Sequence, residues 1–323
     1  MQCRPGGRGA RGDRVRAGAC GSNRRWALNH GFTYDEIIGP REAGRSLVAH
    51  LSARYDHTPE SEWVDRIAAG LVRVDGRLIA ADAPLARGQR VTWARPPWEE
   101  PEAPLAFAVL HEDEHLVAIA KPSGLPTNPG GGFLEHTLLH LVRLRYPGAS
   151  PVHRLGRGTS GLVLFARTAP ASAELSASLR RHEVVKIYRG LVTGAPAENA
   201  CTLTTPIGPV PRGWGRSLHA ASLQGKAATS HVRVLERRDG SSLVEVRIET
   251  GRPHQIRIHL AAWGHPLVGD PLYAVGGGFL PGEAVPGDLG YHLHAFKLAI
   301  PNPFTGAQMA FRCEPPPVLR SFG

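Results

Sequence analysis

From about Arg45 onward, apolar positions recur at regular intervals along the chain. Leu47, Val48, Leu51 and Tyr55 have the spacing of one helical face, and Trp63, Ile67 and Leu71 mark a second. The run Gly70-Leu-Val-Arg-Val-Asp-Gly76, followed by Arg-Leu-Ile, reads as two short strands around an Asp75-Gly76 turn. A further strand is expected at Arg90-Val-Thr-Trp93. Residues 94–104 are proline-rich and locally acidic, and proline continues neither a helix nor a ladder. A linker is therefore placed at 96–105. Beyond it, strand patterns fall at 107–110, 116–120, 162–166, 188–192, 231–235 and 243–248, with helical patterns at 137–145 and 171–181. Strands and helices mixed without strict alternation predict an α+β domain on a mostly antiparallel sheet. No repeat of solenoid period is present.

Composition narrows the function classes. A chain of 323 residues is long enough for two or three domains at roughly 100–200 residues each. Its 38 basic and 28 acidic residues give a net charge of +10, which favours a polyanionic partner. Residues 1–30 hold seven arginines and one acid, Asp13, so +6 of the total lies in a glycine-rich stretch expected to be a disordered basic tail. The remaining residues carry only +4, so charge alone is a poor witness for nucleic-acid binding. No apolar run approaches the roughly 18 residues of a membrane span. Cys3, Cys20, Cys201 and Cys313 are too scattered for a disulfide scaffold or a paired-cysteine zinc site. With no secretory signal in the sequence, a reduced cytoplasmic setting is expected.

Several short motifs carry little. His111-Glu-Asp-Glu-His115 fits a zinc-hydrolase pattern, but that chemistry needs both histidines on one helical face. Here the five residues lie between two strand-like runs, so a charged hairpin turn is expected. Gly156-Arg-Gly-Thr-Ser-Gly161 lacks the Lys-Ser/Thr of a phosphate-binding loop, and Ser160 does not sit in a nucleophile elbow.

Four longer segments carry more together than singly. They are Lys121-Pro-Ser-Gly-Leu-Pro-Thr-Asn-Pro-Gly130, Pro151-Val-His-Arg-Leu-Gly-Arg-Gly-Thr-Ser-Gly-Leu-Val-Leu-Phe165, Lys186-Ile-Tyr-Arg-Gly-Leu-Val192 and Thr250-Gly-Arg-Pro-His-Gln-Ile-Arg-Ile-His-Leu260, the last leading into Trp263-Gly-His-Pro-Leu-Val-Gly-Asp-Pro-Leu-Tyr273. Their order and spacing resemble the RluA family of RNA pseudouridine synthases over residues 106–320. Residues 41–95 resemble the S4-like RNA-binding module. The resemblance implies a mixed, mostly antiparallel bent sheet of the pseudouridine synthase type, preceded by a small S4-like α+β domain. It further implies base flipping and isomerisation of a uridine in ribosomal or transfer RNA by a monomer, without metal or small-molecule cofactor.

The resemblance also distributes roles. Arg154 fills the space left by the flipped base, Tyr188 packs on the base and handles the C5 proton, and Arg257, with Arg252 as second choice, pairs with the catalytic carboxylate. His153, Arg252, His254, Lys121, Thr159 and Ser160 are the expected RNA contacts. At the central position the chain departs from the family. The family's catalytic aspartate of His-Arg-Leu-Asp is Gly156 here, which offers neither nucleophile nor base. Asp113, Glu249 and Asp270 are the candidate substitutes. Two other readings stand beside the isomerase: a catalytically silent RNA-binding or chaperone protein on the same fold, and a zinc hydrolase built on His111 and His115.

Overall fold

The first strand expected from the pattern is not the first strand present. In the computed structural model, which describes residues 28–56, 58–79, 82–212 and 216–321, β1 (Phe32–Ile37) precedes α1 (Leu47–Arg54), α2 (Glu60–Ala68), β2 (Val72–Val74), β3 (Arg77–Leu78) and β4 (Arg90–Arg95). The disordered tail expected over 1–30 lies, up to residue 27, outside the described residues. The chain divides into two units, one of Asn23–Glu100 and one carrying Pro101–Gly323. The division falls within the proline-rich stretch, and the first unit begins well ahead of residue 41.

In that first unit the strands order β1-β4-β2-β3. Ser46 caps α1 by accepting the Ala49 N–H at 3.2 Å. Asp75 and Gly76 both have positive φ, 50° and 76°, which is what a two-residue hairpin between right-twisted strands demands. Leu47, Leu51, Trp63, Val72 and Val91 form the core. β1 escaped the pattern because none of its six residues is buried. It is held by Tyr34, which stacks on Trp93 at 4.9 Å.

The second unit carries β5 (Ala108–Glu112), β6 (Leu116–Lys121), α3 (Leu138–Arg145), β7 (Ser150–Pro151), β8 (Ser160–Ala166), α4 (Ala169–Arg180), β9 (Val185–Thr193) and β10 (Ala200–Leu203). A two-stranded ribbon follows, β11 (Ile207–Arg212) and β12 (Arg216–Ala221), then β13 (Ser230–Arg238), β14 (Ser241–Ile248), α5 (Gln255–Ala262), β15 (Leu293–Pro301) and β16 (Gln308–Arg312). The main sheet runs β10-β13-β14-β9-β15-β8-β6-β5, with β16 beside β15 and β7 beside β8. Among its described pairings only β8 with β15 is parallel, so this is a mixed, mostly antiparallel sheet within an α+β fold.

That parallel join positions the site. Tyr188 on β9 is in register with Ala295 on β15, and Ala295 with Gly161 on β8. The three form one row across the sheet. Gly161 has φ of 106°, and a Cβ there would lie 2.3 Å from the Ala295 carbonyl oxygen, so only glycine permits the join. α5 gave no amphipathic signal because seven of its eight residues are buried, Gln255, Arg257 and His259 among them. His111 lies in β5 and His115 immediately before β6, so they do not share a helical face. Asp113 ties that hairpin by accepting the His115 and Leu116 N–H groups, each at 2.8 Å.

Gly161→Ala is expected to destabilise the second unit by at least about 2–3 kcal/mol, since both the overlap and the backbone are unfavourable. Urea denaturation of the variant against the native chain measures this.

Candidate active site

Two loops, at the ends of β6 and before β8, are bound to each other almost entirely through backbone carbonyls. Lys121 closes β6 and is 2% exposed. Its ammonium donates to the carbonyls of Pro122 at 2.9 Å, Leu125 at 2.6 Å and Arg157 at 3.3 Å. Burial pulls its pKa down to about 7, and the three acceptors match the three N–H donors of the charged form. Ser123 Oγ donates to the Gly158 carbonyl at 2.7 Å, and Thr127 Oγ1 to the Leu155 carbonyl at 2.9 Å. The Gly124 N–H reaches the Arg157 carbonyl at 2.8 Å. Residues 154–159 thus form a fixed shelf.

Gly156 lies exposed on that shelf, and its φ is outside the left-handed region. Nothing in its backbone requires glycine. A Cβ there would stand 3.1 Å from the Tyr291 hydroxyl oxygen and 3.6 Å from Thr159 Oγ1. At Gly158 a Cβ would lie 2.9 Å from two ring carbons of Tyr291. Tyr291 is buried, and its hydroxyl and Thr159 Oγ1 share a hydrogen bond at 3.2 Å. The Arg257 guanidinium lies over the Tyr291 ring at 4.3 Å and over Tyr273 at 5.0 Å.

Arg257 is not left without a carboxylate. Its Nε donates to Asp270 Oδ2 at 2.6 Å and its second terminal nitrogen to Oδ1 at 2.7 Å, with side chains 3% and 1% exposed. Burial disfavours the guanidinium charge, but the hydrogen bonds and charge of Asp270 hold its pKa above the usual arginine value. Asp270 also accepts the Leu272 and Tyr273 N–H groups. The other candidate carboxylates are also committed. Asp113 forms the β5–β6 turn, and Glu249 is bound by His231 Nε2 at 2.8 Å.

Tyr188 is 8% exposed and belongs to the same core cluster as Leu155, Tyr291 and Ala295. Burial pushes its pKa up to about 12, so it stays protonated at neutral pH. Arg154 is exposed and makes no hydrogen bond or ion pair among the described residues. Burial, with smaller contributions from neighbouring charges that include Arg154, holds the His254 pKa below the usual histidine value. Tyr291, against Arg257 of α5 on one side and the shelf glycines on the other, brings the shelf and α5 together. Arg252 Nε donates to the Ala227 carbonyl at 3.0 Å.

Four residues expected to contact RNA make hydrogen bonds within the protein. Lys121 is caged by carbonyls, and Thr159 is bonded to Tyr291. Ser160 Oγ donates to His294 Nδ1 at 2.9 Å, since His294 Nε2 donates to the Cys313 carbonyl. His153 Nε2 accepts the Leu164 N–H at 3.2 Å. His254 is also engaged: Tyr273 donates its hydroxyl proton to the His219 carbonyl, so His254 Nδ1 donates to the Tyr273 oxygen at 2.7 Å. Motif reading found all of these positions but not their direction. It missed Tyr291, whose only sequence trace is the glycine pair that admits its ring. It also passed over Lys186, whose ammonium is depressed in pKa by burial and lies 3.9 Å from a Cβ built on Gly251.

Arg257→Met, which strands Asp270 as a buried unpaired charge, is expected to lower stability by about 3–5 kcal/mol in denaturant titration. Acid acts through the two histidines. Burial holds His153 and His254 near pKa 4, against an unfolded value of about 6.5. The unfolded chain therefore binds more protons between those values. Their contribution to stability is complete above pH ~6.5 and lost as pH falls toward 4. His153→Gln, which keeps an acceptor without a titrating ring, is expected to flatten that fall in urea titrations across the range.

Comparison with known proteins fits this site. A family model described as RNA pseudouridylate synthase matches residues 115–262. An uncharacterised RNA pseudouridine synthase of Synechocystis sp. is 44% identical over 278 residues, covering 84% of this chain and 95% of that protein. The ribosomal large subunit pseudouridine synthase D of Pseudomonas aeruginosa is 36% identical over 234 residues, 66% of this chain and 69% of that one. The structure of human RNA pseudouridylate synthase domain containing 4 aligns with a TM-score of 0.52 at 25% identity, over 65% of this chain and 89% of its own. With a buried tyrosine and an arginine–aspartate fork set beside the His-Arg-Leu shelf, the chain belongs to the RNA pseudouridine synthase family.

Proposed function

We propose that the protein isomerises a uridine to pseudouridine in structured ribosomal RNA. The observation that carries this reading is the arrangement around Gly156. The shelf is fixed by Lys121, Tyr188 is buried and protonated beside it, and Arg154 stands exposed and unpaired at its edge. A uridine extruded from its stack leaves a gap whose creation costs a few kcal/mol, roughly. A free arginine at the mouth of the site is suited to fill that gap. Once the base has turned, Tyr188, as a phenol, can give its own proton to N1 while taking up the one that leaves C5. Ribosomal RNA is favoured by the likeness to a synthase named for the large ribosomal subunit. The S4-like reading of the first unit gives that unit an RNA-binding role. The protein would act as a monomer in the cytoplasm, with Arg154, Arg252 and Lys186 as the cationic groups nearest the RNA backbone.

The silent-binder reading predicts relaxation around a dead centre. Instead Arg257 keeps its fork with Asp270, and the glycine pair is filled by a hydrogen-bonded tyrosine. Incubating the purified protein with unmodified ribosomal and transfer RNA, then mapping pseudouridine, tests the proposal. Wild type is expected to modify ribosomal RNA, and Tyr188→Phe to lose at least about 100-fold in rate. Tight RNA binding with no pseudouridine in either RNA would return the silent reading.

A further inference from the structure

The chemistry lacks a group at residue 156, and the structure places another one there. Because Gly156 and Gly158 have no side chains, the Tyr291 ring lies against the shelf, with its hydroxyl oxygen 3.1 Å from where a Cβ of residue 156 would be. The carboxyl of an aspartate at 156 could not extend in that direction without displacing the phenol. The two glycines and the tyrosine are thus one feature. A larger residue at 158 would overlap the ring, and a larger one at 156 would meet the hydroxyl. Three contacts hold Tyr291 in this pose: Thr159 Oγ1 on its hydroxyl, the Arg257 guanidinium on its ring face, and the shelf beneath. Gly156 itself is exposed, and the phenol that meets it is buried and hydrogen-bonded to Thr159.

We infer that Tyr291 supplies, through its phenol oxygen, the proton-handling group at the ribose that residue 156 lacks, and is a catalytic residue of the uridine isomerisation. This rests on the isomerase reading above. Tyr291 acts as its phenolate, with the Arg257 guanidinium 4.3 Å from the ring centroid. The phenolate oxygen takes the proton from ribose C2′. Those C–H electrons form a C1′–C2′ double bond as the C1′–N1 bond breaks, its electron pair leaving with the uracil. The base turns. Tyr291 returns its proton to C2′, C5 of the uracil anion bonds to C1′, and the C5 proton passes to N1 by way of Tyr188. Atoms and electrons balance with no co-reactant, as an isomerisation requires.

Single-turnover pseudouridine formation on ribosomal RNA, measured across pH, tests this. Tyr291→Phe is expected to lower the rate at least about 100-fold, with RNA affinity and melting temperature nearly unchanged. Replacing Tyr291 by 3-fluorotyrosine, whose phenol is more acidic, is expected to move the rising limb of the pH–rate profile to lower pH. A merely structural tyrosine would leave that limb in place. Gly156→Asp combined with Tyr291→Phe, in which the freed space receives a carboxylate, is expected to recover part of the lost rate. An active wild type with an equally active Tyr291→Phe, or an unshifted limb in the fluorinated protein, overturns the assignment while leaving the isomerase reading intact. A wild type inactive on every RNA overturns both.

Discussion

The geometry of the site depends on one buried ion pair, that of Arg257 with Asp270. A guanidinium and a carboxylate taken out of water cost more to desolvate than most contacts return, and such a pair persists only with near-complete hydrogen bonding. Here the fork is bidentate, and Asp270 accepts two further backbone N–H groups. Its importance lies in what it orients. Tyr273 and Tyr291 lie against the guanidinium, and Tyr291 in turn lies against the glycines of the shelf. An arginine that had lost its partner would be free to move, and with it the tyrosine wall.

The opposite side is set by a different kind of interaction. Lys121 has no carboxylate among its described partners, only three carbonyls. A lysine used in this way acts as a pin between two loops. Ser123 and Thr127 extend the pin along the shelf, so Gly156 is held from below by backbone bonds and from beside by an aromatic ring. A site fixed from both directions tolerates an unusual residue at its centre, because the position of that residue does not depend on its own side chain.

The sequence exposed some of this and concealed the rest for identifiable reasons. Strands β6 and β8 were legible because they are nearly continuous apolar runs, as strands covered on both faces tend to be, and β14 because Val244, Val246 and Ile248 alternate with Glu245 and Arg247. α5 was hidden by the opposite of amphipathicity: polar Gln255, Arg257 and His259 are as buried as Ile258 and Leu260 beside them. β1 has no buried residue, and the ribbon of β11 and β12 contains Pro209 and Pro211, which read as breaks. Within the site, motif order identified the shelf, Tyr188 and Arg257. It could not distinguish a serine or lysine facing RNA from one facing a carbonyl, since that depends on packing. Tyr291 was invisible because it is 132 residues from Thr159 and lies in a segment without periodicity. Only the space above two glycines reveals it.

An isomerase built this way takes a uridine with its ribose beside the shelf and its base on Tyr188, although residue 156 is glycine. The structure of the protein bound to a ribosomal RNA fragment that it modifies would show whether this is so. One nucleotide is expected to be extruded from the RNA, its base packed on Tyr188, its C2′ within reach of the Tyr291 oxygen, and Arg154 in the vacated stack. An RNA seated on the protein with every base stacked and Tyr188 uncontacted would contradict it.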